Sequence, residues 1–211
     1  MRWSWVGDHL DDIGSRLLEH VYLTGVSVGL GFLLAFPLAL LAVRYPRFYG
    51  PLLGVTGVLF TIPSLALFML MLPFTGLGVV TAIVPLTVYT LLILVRNTVE
   101  GLNGVPAEVR DSAEAMGYTP ARQLLRVELP LAVPVIIAGL RIATVTTIGL
   151  VTITAVIGLG GLGQFFIDGF IRRFSTPLLV GLVLSIALAV TADLGLLAMQ
   201  RALTPWQRQR G

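Results

Sequence analysis

The chain contains no cysteine and no lysine, and it carries few charges of either sign. Without cysteine there is no disulfide framework, no thiolate nucleophile and no Cys-ligated metal. Without lysine, all fourteen basic residues are arginine. That excludes a phosphate-binding loop with its usual Lys, a Schiff-base Lys and a Lys general base. The chain therefore does not hydrolyse ATP by the usual P-loop route on its own. Charged residues make up 12% of the 211 positions, about half the ~25% of an ordinary soluble domain. Hydrophobic residues make up 56%, and the mean hydropathy is +0.92. Such a chain cannot cover a water-facing surface, so a soluble globular domain and a disordered chain are both excluded. The formal net charge of +3 and the pI near 9.8 raise nucleic acid as a partner. Arg-rich loops of a membrane protein account for both values, and no nucleic-acid partner is expected.

A bilayer-spanning helix needs about 20 apolar residues. Val21 to Val43 is free of charge and gives one span. Phe48 to Val95 is also free of charge and is long enough for two, divided at the turn signal Pro73-Phe74-Thr75-Gly76. Leu129 to Ile157 gives a fourth, interrupted by Arg141, and Thr176 to Gln200 a fifth, interrupted by Asp193. The expectation is one all-α integral membrane domain over residues 1–211, with spans near 21–43, 50–72, 77–95, 130–157 and 176–200. Arginine is enriched on the cytoplasmic side. Arg44, Arg47, Arg96, Arg110, Arg122, Arg126, Arg201, Arg208 and Arg210 fall on one side of this scheme; Arg2, Arg16, Arg172 and Arg173 fall on the other. The C-terminus and residues 97–129 are therefore expected inside the cell, and the N-terminus outside. Acidic residues interrupt the N-terminal segment, which does not read as a cleavable signal peptide. Residues 1–20 read as an amphipathic interfacial helix, with Trp3 and Trp5 at headgroup depth.

The segment between the third and fourth spans is patterned. Pro106 suits a first helical turn. Val109, Ser112, Ala113 and Met116 recur at helical spacing, and Gly117 follows as a C-terminal cap. Thr119-Pro120 then opens a second short helix, which reaches Leu129-Pro130 where the fourth span begins. Glu108, Asp111, Glu114, Arg110, Arg122 and Arg126 decorate the pair. One reading is a solvated link between spans. The other is a docking knob with a small apolar face and a charged rim, inserted into a soluble partner's groove.

Here the sequence resembles a known family. Asp111-Ser112-Ala113, three residues, Gly117, nine residues, Val127, one residue and Leu129-Pro130 match the spacing of the EAA loop of ABC importer permeases. That pattern is Glu-Ala-Ala, three residues, Gly, nine residues, Ile, one residue, Leu-Pro; positions 111, 112 and 127 depart conservatively. The runs Thr61-Ile62-Pro63-Ser64-Leu65-Ala66, Val127 to Ile136, Gly139-Leu140-Arg141 and Gly158 to Gly163 are similar to the osmoprotectant branch, which moves glycine betaine, carnitine, choline or proline betaine. The resemblance implies a type I importer core in the cell membrane and a second permease subunit. It further implies a cytoplasmic ABC ATPase that binds the ATP and an extracytoplasmic substrate-binding protein. No catalytic residue and no cofactor are expected on this chain. The implied ATPase-coupling residues are Glu108, Asp111, Ser112, Ala113, Glu114, Met116, Gly117, Arg122, Leu129 and Pro130. A permease for another small solute such as methionine or taurine would share this loop, and a stand-alone secondary transporter remains the alternative of a different class.

Other conspicuous residues have plainer readings. Gly158, Gly160 and Gly163 satisfy G-x-G-x-x-G, but they follow a membrane span and lack a βαβ context, so they read as a flexible or close-packed turn. Gln164 to Phe174 then reads as a short external helix. His9 and His20 lack metal-ligand spacing. Gly25/Gly29 and Gly50/Gly54 suit close helix packing. Arg141 lies about 16 Å from the cytoplasmic start of its span, and Asp193 about 10 Å from the cytoplasmic end of its own, at 1.5 Å per residue. Those depths permit a pair, either structural or part of a gate. Tyr89 and Phe68 are aromatic candidates for the pathway, because aromatic faces attract quaternary ammonium groups; packing is the plainer role for both.

Overall fold

The computed structural model describes residues 4–206, and among them every regular element is helical. Helix α1 (Ser4–Asp8) leads into α2 (Leu10–Arg44). At 1.5 Å per residue α2 is about 52 Å long, well beyond the ~30 Å of a hydrocarbon core. The expected interfacial helix over 1–20 is thus not a separate element: residues 10–20 are the first turns of the first span. His20, Leu23, Thr24, Ser27, Gly31, Ala35, Ala39 and Ala42 form its buried face. The steps of three and four residues keep them on one side. Small side chains toward the C-terminal half let α2 approach α5 (Val79–Asn103) closely; a Cβ on Gly31 would overlap the Thr90 hydroxyl. Trp3 lies outside the described residues.

The second expected span is broken. Helices α3 (Tyr49–Thr61) and α4 (Ser64–Thr75) meet at 92°. Pro63 has no N–H to continue the ladder and holds the preceding residue out of the helical region; Ile62 accordingly has ψ 128°. Pro73 stays inside α4, and the chain turns at Gly76, where φ is +68°. Among the described residues four helices are long and apolar enough to cross a membrane, and the bent pair makes a fifth crossing when taken as one span. The chain is a multi-pass membrane protein.

Helix α6 (Ala107–Ala115) stands alone, but the second short helix does not. Helix α7 (Pro120–Gln123) passes through a π-turn at Leu124–Glu128 straight into α8 (Leu129–Val151). The π-turn is where Pro130 would otherwise press its ring on the Arg126 carbonyl. Widening the turn lets the Leu129 N–H reach back to Leu124. The separate helix expected before the fourth span is therefore the first turn of that span. Helix α8 tightens into a 3₁₀ segment at Thr152–Ile157, and Gly158 ends it in the left-handed region. The short α9 (Gln164–Ile171) and the long α10 (Ser175–Leu203) complete the chain.

Helix α5 is the most buried span and packs against both α2 and α8, whereas α10 lies outermost against α8. One core cluster joins Ala35, Ala39, Ala42, Leu94, Val95, Val99 and Ala143; a second joins Leu23, Phe68, Ala82, Leu86, Val151 and Ile157. The glycine turn is close-packed: Gly161 has φ +48°, and a Cβ there would come within 2.6 Å of the Arg16 carbonyl oxygen. Trp5 stacks on His9 and meets Phe165 and Phe174 edge-on, so the N-terminal turns sit with the glycine turn and α9. Trp206 shares a shallow recess with Arg126 and Pro130. The two ends of the described chain therefore lie at opposite ends of the bundle.

Candidate functional site

The 106–130 segment lies at the Arg-rich end, against the C-terminal turns of α2 and α5. Helix α6 begins after Pro106, with Glu108 in the first turn where a negative charge suits the helix dipole. The Ser112 hydroxyl donates to the Glu108 carbonyl at 2.6 Å. The helix stops in a Schellman motif. Tyr118 N–H donates to Ala113 (3.1 Å), Gly117 N–H donates to Glu114 (2.8 Å), and Gly117 takes φ +78°. A Cβ at 117 would meet nothing within 4 Å, so the glycine is required by backbone conformation and not by space.

The face predicted by spacing divides in two. Ala113 is the buried residue of α6 and anchors it inward. Asp111, Ser112, Glu114 and Gly117 are exposed, and Met116 is 69% exposed. The outer surface thus presents one flexible apolar side chain among carboxylates. Arg122 is exposed and lies over the Tyr118 ring, 4.6 Å from its centre. Leu129 is half-buried and packs, with Leu124, on Leu102, Ala132 and Ile136, while Pro130 is half-buried in the first turn of α8.

Arg110 makes contacts that periodicity does not reveal. Its Nη2 donates to the Leu102 carbonyl at 2.6 Å, and its Nε lies 3.7 Å from Glu128 Oε1. Gln123 Nε2 donates to the same Glu128 oxygen at 2.9 Å. Helix α5 ends in this region, and the Leu102 carbonyl also accepts from Val105 N–H. One guanidinium therefore touches α5 and the π-turn at the base of α8 from its place on α6. The sequence signal was present only as an arginine among other charges.

The depth arithmetic for Arg141 and Asp193 corresponds to a real pair. The guanidinium donates through Nε and Nη2 to the two carboxylate oxygens, each at 2.7 Å, and ties α8 to α10. A two-pronged contact of this kind fixes orientation as well as charge. Tyr89 and Phe68 sit inside the protomer. The Tyr89 hydroxyl donates to the Ile62 carbonyl at 2.6 Å, satisfying a group freed by the break between α3 and α4. Phe68 is fully buried in the second core cluster. Among the described residues no group of three or more His, Asp or Glu is placed to hold a metal ion.

Residues 27–208 match the family model described as binding-protein-dependent transport system inner membrane component. The choline transport system permease protein OpuBB of Bacillus subtilis is 38% identical over 92% of this chain and 90% of its own. The osmoprotectant import permease protein OsmW of Salmonella typhimurium is 37% identical over 94% of both. A solved structure of the MetNI methionine ABC transporter in inward-facing conformations superposes with a TM-score of 0.84 at 27% identity, covering 93% of this chain and 98% of that one. With the helix-to-span continuity at 120–151 and a match over most of its length, the chain belongs to the family of inner membrane components of binding-protein-dependent transport systems.

Proposed function

We propose that this chain is the permease subunit of an ATP-driven importer for quaternary ammonium osmoprotectants, in the class of glycine betaine, choline, carnitine and proline betaine. The observation that carries the mechanism is the capped helix α6, followed by a helix that runs without a break from Pro120 into the span. The substrate class rests on the relatives named for choline and osmoprotectant transport.

In this reading the Arg-rich end faces the cytoplasm, the N-terminus lies outside, and the protein sits in the cytoplasmic membrane. Helix α6 enters a groove on a cytoplasmic ABC ATPase. Met116 supplies the apolar tip; Glu108, Asp111, Ser112, Glu114 and Arg122 supply the polar rim, and Ala113 sets the helix on its base. ATP binding closes the ATPase dimer and moves α6. The Gly117 turn carries that motion to α7, and Leu129-Pro130 carries it into α8. Closure then shifts the population of two packed arrangements of the spans, which expose the pathway to one side or the other. A second permease subunit encloses the pathway, and an extracytoplasmic binding protein delivers the solute. The chain itself binds no ATP and no cofactor. Arg141 and Asp193 hold α8 and α10 together as one moving unit.

The test is uptake of labelled glycine betaine, choline and methionine by a transport-deficient host that expresses this chain with its ATPase and binding protein. Uptake of the quaternary ammonium solutes, competed by one another and not by methionine, supports the reading. Uptake of methionine alone overturns the substrate class.

A further inference from the structure

We infer that Arg110 is a positioning residue that fixes the angle of α6 against two spans at once and so passes its movement to both. The inference rests on the coupling role proposed above and adds the route by which α6 reaches α5. Backbone continuity through α7 connects α6 to α8 only. The Gly104 and Val105 turn connects it to α5, but that turn is short, and α6 has one buried side chain, Ala113, to hold it in place.

Arg110 supplies the missing rigidity. Its Nη2 reaches the Leu102 carbonyl at 2.6 Å, as a second donor beside Val105 N–H, at the end of α5 where the helix dipole favours a cation. The neighbouring Nε, on the same edge of the guanidinium, lies 3.7 Å from Glu128 in the π-turn, an ion-pair distance and not a hydrogen bond. Glu128 is itself held by Gln123, and its side chain is 13% exposed. The three elements thus share one planar cation. Lysine replaces it only in part, because a point charge on a flexible stem keeps the attraction but lacks the planar group that holds Nε and Nη2 in fixed relation. Arg110 and Glu128 are largely buried in these contacts whereas Met116 is 69% exposed, so the two sets of residues are distinct.

The experiment compares wild type, Arg110→Gln and Arg110→Lys in complexes with the ATPase and binding protein, reconstituted in proteoliposomes. Solute moved per ATP hydrolysed is read at equal amounts of assembled complex. The ratio is expected to fall about tenfold in Arg110→Gln, within the usual range of coupling between two sites, and to a smaller extent in Arg110→Lys. A merely structural role would lower the amount of complex and leave the ratio unchanged. Either variant at the wild-type ratio overturns the inference. If Arg110→Gln does not accumulate, Arg110→Lys decides it alone. A wild-type complex that hydrolyses ATP without moving solute refutes the coupling reading and the inference with it, an outcome separate from any result on the variants.

Discussion

Gly117 offers a test in which conformation and size make opposite predictions. Its φ of +78° lies in the left-handed region, and a Cβ built there is free of neighbours within 4 Å. Alanine at 117 therefore meets no steric obstacle in the chain itself. Its cost is that of holding an L-residue left-handed, roughly 1–2 kcal/mol. At about tenfold per 1.4 kcal/mol, that lowers the ratio of capped to uncapped conformations by roughly 5- to 30-fold. Asparagine tolerates this region through local hydrogen bonding, although it is larger than alanine. Valine, branched at Cβ, is the worst choice. The affinity of the ATPase for the detergent-solubilised permease, measured across the series, should fall in the order Gly, Asn, Ala, Val, and uptake should follow it. An order set by side-chain size, with Asn worse than Ala, would refute the conformational argument. Equal affinity for all four would show that the Schellman cap plays no part in docking.

Three further outcomes follow from particular contacts. Removing either partner of the two-pronged pair, as in Arg141→Ala or Asp193→Ala, should lower the amount of assembled permease in the membrane, and the exchange Arg141→Asp with Asp193→Arg should restore part of it; single variants with normal levels and normal uptake would show the pair to be idle. Gly161→Ala places a Cβ 2.6 Å from the Arg16 carbonyl oxygen and also strains φ, so the thermal unfolding midpoint of the purified complex should drop, with a cost of about 1–3 kcal/mol for overpacking. Tyr89→Phe orphans the Ile62 carbonyl at the break between α3 and α4; it should destabilise the protein by about 1 kcal/mol in the same assay while ATPase binding stays unchanged.

The sequence makes some of this architecture legible and conceals the rest, for physical reasons. Apolar runs and scarce charge identify spans because the bilayer imposes length and composition. The Gly117 cap and the Thr119-Pro120 start are readable because backbone conformation restricts residue choice locally. Depth permits the pairing of Arg141 with Asp193, since few charges occur within the spans, and the contact itself is seen in the structure. The break at Ile62-Pro63 is concealed by uniform polarity, for the uncharged stretch from Phe48 to Val95 offers no contrast to mark a bend, and Pro63 was the single available sign. The continuity of α7 with α8 is hidden because Leu129-Pro130 resembles a helix start, whereas the π-turn absorbs the proline. The length of α2 is hidden because Asp8, Asp11, Asp12 and Glu19 read as a separate polar segment. Arg110 is hidden most completely. Its partners at Leu102 and Glu128 belong to other elements, and no periodicity links them.

The most direct measurement is accumulation of glycine betaine by proteoliposomes that contain the whole complex, with the binding protein on one side and ATP supplied on the ATPase side. Accumulation against a gradient that requires ATP, the ATPase subunit and the binding protein, and that is lost in Gly117→Glu, is the predicted result. Accumulation by this chain without ATPase or ATP, driven by an ion gradient, would contradict the account and make the chain a transporter in its own right.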